Sequence, residues 1–158
     1  MNPRGRIIRR ACLFACALFL GGMASGCSTF NREWKAAAVA ADPANDISGR
    51  WQGSWLSDAN QHTGKLRCLV TKLDNHKYRA RYHAIYWKIL RFSYTVDLNA
   101  EERMGRYEFK GSADLGKLAG GVYSYEGHAT PTNFFSTYLS KYDHGTFQMT
   151  RLGLFPSR

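Results

Sequence analysis

From residue 47 onward, apolar and polar side chains alternate along the chain with a period of two. In the stretch 64–71, for example, Leu66, Cys68 and Val70 share one face while Lys65 and Arg67 share the other. Such alternation predicts β-strands that bury one face and expose the other to water. No convincing helical period interrupts this pattern, although one helical turn is expected at 99–104.

Eight segments carry the alternation, and each is bounded by residues that favour turns. They are Ile47–Leu56, Gly64–Thr71, Tyr78–Tyr86, Ile89–Leu98, Arg106–Gly111, Gly121–His128, Asn133–Ser140 and Gly145–Leu152. Short connections between one-sided strands predict an antiparallel up-and-down arrangement. Eight such strands most economically close into an eight-stranded antiparallel β-barrel, which leaves no exposed edge. A two-sheet β-sandwich is the alternative, and the all-β domain is expected over residues 47–155.

The first strand, with the sequence GRWQGSW at 49–55, places both of its tryptophans on the buried face. Gly49-Arg50-Trp51 resembles the G-x-W signature of lipocalins, whereas the length of the chain is nearer to avidin-like barrels. The resemblance implies a lipocalin-like barrel in which Trp51 closes one end. It also implies that an arginine of the last strand, here Arg151, packs across the ring as a cation–π pair.

The first 26 residues have the order of a secretory signal peptide: four arginines, an apolar run at 11–20 and then small residues. The apolar run is too short to span a bilayer, which takes about 20 residues. Residues 24–28, ASGCS, resemble the lipobox of bacterial lipoproteins. The resemblance implies cleavage before Cys27, acylation of Cys27 with palmitate-type chains and, because Ser28 follows, sorting to the outer membrane.

The mature protein is therefore expected to be lipid-anchored in the cell envelope and to face the periplasm. Residues 27–46 form the lipidated N-terminus and a linker, whose alanine-rich middle predicts a short helix. A helix of this length is marginal unless it docks on another element. The linker enters the barrel at the Trp51 end, so that end is expected to face the membrane.

Charge and cysteine usage agree with export. The chain has 22 basic and 12 acidic side chains, and losing the four leader arginines leaves a net charge of +6. We expect an anionic envelope component as a partner, besides the membrane bound through the lipid, and no nucleic acid. Cys68 is the one cysteine left after processing besides Cys27, so no internal disulfide forms, and its thiol is expected to be buried.

The sequence contains none of the common metal-binding, nucleophile or phosphate-binding motifs. The five histidines lack metal-ligand spacing, and neither a G-x-S-x-G motif nor a phosphate-binding loop occurs. We therefore expect no metal and no cofactor, and a non-enzymatic role is favoured. The alternative is a small hydrolase acting at the barrel rim. His62, Asp143 and His144 are the rim residues whose types suit zinc, but turn residues without such a role are much commoner.

Two binding roles remain. In the first, the barrel holds a small apolar or aromatic ligand, and the candidate ligand-binding residues are Trp55, Tyr82, Tyr94 and Tyr123. In the second, a structural or assembly lipoprotein has a solid barrel and a basic wall that contacts an anionic partner. The candidate residues of that wall are Lys65, Arg67, Arg79, Arg81 and Arg91.

Overall fold

The computed structural model describes residues 29–40, 46–86 and 90–153, so the signal peptide 1–26 and Cys27 lie outside the described residues. One helix, α1, spans 29–39, and a 3-10 turn spans Lys117–Ala119. The strands are β1 (Gly49–Ser57), β2 (Thr63–Lys72), β3 (Lys77–Tyr86), β4 (Leu90–Arg103), β5 (Arg106–Asp114), β6 (Val122–Ala129), β7 (Asn133–Leu139) and β8 (His144–Arg151).

The eight strands form one closed barrel in chain order, and every neighbouring pair is antiparallel. Closure comes from the pairing of β1 with β8, in which Trp51 lies opposite Arg151 and Trp55 lies opposite Phe147. The predicted up-and-down barrel is therefore confirmed, and the β-sandwich alternative is wrong. Because each strand has a neighbour on both sides, no backbone edge is left open to pair with another chain.

One sequence prediction fails in the β4–β5 hairpin. The helical turn expected at 99–104 does not form, because β4 continues through Arg103. The alternation persists there: Leu98 and Ala100 are buried while Glu101 is exposed and pairs with Glu108 of β5. A tight turn at Met104-Gly105 reverses the chain, with Met104 in the left-handed region at φ 54°.

The core consists of the inward faces of the strands, where Trp51, Leu66, Cys68 and Tyr82 are fully buried. Burial of Cys68 is as predicted from its isolation. Glycine occupies an inward position where β1 crosses close to β8: a Cβ on Gly53 would lie 2.7 Å from the Cα of Met149. A larger side chain there would clash with the β8 backbone, so Gly53 permits the close approach of the two strands.

Helix α1 packs on the outside of the barrel instead of standing away from it. Phe30 and Trp34, four residues apart and therefore on one helical face, are both buried. The Phe30 ring stacks on His83 of β3 at a centroid distance of 4.8 Å. The predicted short helix is thus present, and the docked aromatic face supplies the stability that its length does not.

Candidate functional site

At the barrel end where β1 begins, the structure brings Trp51 and Arg151 together. The Arg151 guanidinium lies 5.7 Å from the centroid of the Trp51 ring, a cation–π distance. The Trp51 indole N–H donates to the carbonyl of Ile47 at 2.9 Å. Arg151 also donates to the backbone carbonyls of Asp46 and Ser48. These acceptors compensate the burial of the charge, since a buried guanidinium without partners would be strongly unfavourable.

In the middle of the barrel, tyrosine rings form a stack. Tyr82 stacks on Tyr94 at 5.2 Å, and both rings lie 6.2 Å from Tyr125. Tyr123 joins the stack through Tyr125 at 6.4 Å. Three of the four predicted ligand-binding residues therefore belong to one aromatic cluster. Tyr125, the ring that links them, was missed, although it shares the inward face of β6 with Tyr123.

Trp55, the fourth predicted residue, lies near the barrel end opposite Trp51. Its indole N–H donates to the carbonyl of Ile85 at 3.4 Å. A Cβ on Gly64 would lie 2.6 Å from the Trp55 Nε1 atom, so the glycine makes room for the ring. Trp55 is thus held against β2 and β3, and it is 8% exposed.

The hydroxyls of Tyr82 and Tyr94 favour the neutral form. Burial raises the pKa of Tyr82 and of Tyr94 well above the ordinary value, and neighbouring phenols add to the effect. Burial also raises the pKa of the Cys68 thiol, which faces Tyr82 across the β2–β3 pair. The Tyr82 hydroxyl makes no well-formed hydrogen bond with any described residue. The Cys68 thiol is the polar neighbour of this hydroxyl, and a buried hydroxyl without a well-formed hydrogen bond costs free energy.

The outer wall of β1, β2 and β3 is rich in basic side chains. These three adjacent strands contain no aspartate and no glutamate, yet they carry seven basic residues. Six of them occupy outward positions: Arg50, Lys65, Arg67, Lys77, Arg79 and Arg81. The seventh, Lys72, shares the inward parity of Val70 and pairs with Asp46 at 3.4 Å. The nearby acids come from other elements. Asp97 of β4 forms a two-bond pair with Arg79 at 2.8 and 3.0 Å, and Glu33 of α1 pairs with Arg81 at 2.5 Å.

Helix α1 covers part of this basic wall. The guanidinium groups of Arg50 and Arg67 lie 5.5 and 5.4 Å from the centroid of the Trp34 ring. The indole is therefore a cation–π partner of β1 and of β2 at once. Beside the helix, a groove of about 540 Å³ runs along the wall, with Glu33, Leu69 and Arg81 in its lining.

The rim opposite Trp51 holds a carboxylate in a fixed position. Ser57 Oγ donates to Asp143 at 2.6 Å, and the Tyr138 hydroxyl lies 3.4 Å from the second carboxylate oxygen. Over residues 29–40, 46–86 and 90–153, no three His, Cys, Asp or Glu side chains come together as a set that could hold a metal ion. In the same part of the chain, no helix has the length and apolar character needed to span a membrane.

Comparisons with protein-family models, with curated proteins and with solved structures give no match for this chain.

Proposed function

We propose that this protein is a lipoprotein of the bacterial envelope, attached through Cys27 to the outer membrane on its periplasmic side. Its barrel has a binding role instead of a catalytic one, and the outer wall of β1–β3 contacts an anionic envelope partner. The observation that supports this role is the wall itself: three neighbouring strands have six outward basic side chains and no acidic side chain of their own. A surface with an excess of positive charge attracts anionic partners and raises their association rate.

The packing of the interior favours the wall as the binding surface. Tyr82, Tyr94 and Tyr125 contact one another, and Phe147 packs on Tyr82 at 5.3 Å. An eight-stranded barrel either is filled by its own side chains or holds one small ligand, and the contacts among these rings favour a filled interior. A solid barrel serves as a rigid support, and its function then lies on its outside.

Anchoring is tested by labelling cells with an alkyne palmitate analogue. We expect label on the wild-type chain and on a Cys68→Ala variant, and none on Cys27→Ala. The Cys68 variant is the matched control, because Cys68 is the only other cysteine beyond the leader. Equal labelling of the Cys27→Ala variant would refute anchoring through that residue.

The wall is tested by retention on an anionic phosphocellulose matrix in a salt gradient. The variant Lys65→Glu/Arg91→Glu changes the wall and its flank, and Arg106→Glu/Lys110→Glu makes the same change in net charge on β5. We expect the first variant to elute at clearly lower salt than the second, because charges within about 10 Å of the bound surface dominate. Equal elution would mean that net charge alone controls binding.

A second candidate function is binding of a small apolar or aromatic ligand inside the barrel, and the buried hydroxyl of Tyr82 favours it. Native mass spectrometry of the full chain from its host tests this function. A co-purified molecule that is lost in Tyr82→Phe would support a carrier. A bare protein would leave the basic wall as the functional surface.

A further inference from the structure

The start of α1 is fixed to the side of the barrel. Arg81 Nη2 of β3 donates to the Thr29 hydroxyl at 2.8 Å. The next residue, Phe30, is fully buried on His83, in the middle of the same strand. The first turn of the helix therefore lies against the outer wall of the barrel.

Further contacts fix the direction of the helix. Trp34 lies over Arg50 of β1 and Arg67 of β2, one turn after Phe30 contacts β3. The Glu33–Arg81 ion pair adds a polar contact between those two aromatic residues. Three strands thus hold α1, which gives it a single orientation on the wall.

The position of the lipid follows from covalent geometry, and this step rests on the proposed anchoring at Cys27. Two residues of chain span at most about 7 Å. Thr29 is hydrogen-bonded to Arg81 on the outer face of β3. A lipid attached at Cys27 is therefore tethered within that distance of the helix start. A tether this short does not let the barrel stand away from the membrane.

Free basic side chains surround this point. Arg32 and Lys35 are exposed on α1, Lys65 is exposed on β2, and Arg91 is exposed on β4 opposite Ile85. None of these four forms an ion pair with a described residue. The neighbouring acids Glu33 and Asp97 are already paired with arginines of β3.

We infer that the barrel lies on its side against the bilayer, with α1 and the adjoining β2–β4 wall on the headgroups of anionic phospholipids. The membrane that holds the acyl chains is then itself the anionic partner. Each basic side chain near such a surface adds to the attraction, within the range of about one Debye length. This orientation differs from the one expected from the sequence, in which the Trp51 end faces the membrane.

The lysines of the wild-type chain provide a test, because they lie on different sides of the barrel. Lys35 and Lys65 are on the inferred contact face, Lys77 is at the Trp51 end, and Lys110 and Lys141 lie elsewhere. The lipidated mature protein is reconstituted in phosphatidylcholine vesicles with about 30 mol% phosphatidylglycerol. Acetylation of each lysine by a water-soluble ester is then followed by mass spectrometry.

In the anionic vesicles we expect Lys35 and Lys65 to react at least about fivefold more slowly than in detergent. Lys110 and Lys141 should react at unchanged rates. Vesicles of phosphatidylcholine alone, or a salt concentration of about 0.5 M, should remove the protection. The variant Arg32→Glu/Arg91→Glu should lose it in anionic vesicles, whereas the charge-matched control Arg103→Glu/Arg106→Glu should keep it.

Three outcomes would overturn the inference. Protection of Lys77 without Lys35 and Lys65 would place the Trp51 end on the membrane. Equal reaction of all lysines in a protein that stays bound to the vesicles would refute the orientation and leave the anchoring intact. A chain that does not partition into vesicles at all would refute the proposed anchoring and the orientation together.

Discussion

Truncating Trp34 to alanine should release α1 while the barrel stays folded. The indole is 8% exposed and lies within cation–π distance of two arginines, although it packs on the outer wall and not in the core. Trp→Ala substitutions at buried sites cost about 3 to 5 kcal/mol. We take about 3 kcal/mol of docking free energy as the expected loss, which includes the cation–π contributions.

Hydrogen exchange followed by mass spectrometry measures this loss directly. A change of about 3 kcal/mol raises the opening equilibrium roughly 100-fold, so the amides of 33–39 should exchange faster by that factor. Amides in β6 and β7, on the far side of the barrel, should keep their rates. Val39→Ala is the matched control, because this apolar residue of the same helix is 89% exposed and should change nothing.

Two results would contradict the reasoning about Trp34. If the helix amides kept their protection in Trp34→Ala, the docking would not depend on the indole. If the β6 and β7 amides lost protection together with those of the helix, α1 and the barrel would unfold as one unit.

Three further predictions concern the barrel. Arg151→Met should lower the free energy of unfolding in urea by about 3 kcal/mol, since it removes a cation–π pair and leaves buried carbonyls unsatisfied; a loss under about 1 kcal/mol would contradict this. Burial, and then the charges of Arg67 and Arg91, lower the pKa of His83, so the folded state favours its neutral form. Docking of α1 should therefore be complete above about pH 6.5 and weaken as the pH falls below it, as followed by helix-amide exchange corrected for intrinsic rates; His83→Gln should show no such trend. Gly53→Ala should destabilise the barrel by about 3 kcal/mol in thermal unfolding because its Cβ would meet the β8 backbone, whereas Ser54→Ala on the outer face should be neutral.

The strand pattern was predictable because each strand has one buried face. In β2, for instance, Leu66 and Cys68 alternate with basic residues, and a period of two follows from the geometry of the strand alone. The β4 extension was missed because Asn99 and Glu101 have polar side chains that are common in loops. Their conformation is decided by pairing with β5 and not by local preference.

The position of α1 was not predictable from the pattern. An alanine-rich segment of this length has little helical stability of its own, so its structure depends on what it contacts. The four-residue spacing of Phe30 and Trp34 was the available signal for a buried helical face. Their partners Arg50, Arg67 and His83 lie on outward positions of strands, where the sequence indicates only a solvated surface.

Closure of the barrel has a consequence for how the chain folds. The pairing of Trp51 with Arg151 joins positions 100 residues apart, so the barrel cannot close until the last strand is available. Contacts of such long range slow folding, because the entropy of loop closure is lost before the contacts form. During synthesis and export, β1 and β7 each expose an edge that β8 later covers. We therefore expect the growing chain to depend on protection by chaperones until residue 151 has emerged, and chains cut before β8 to aggregate.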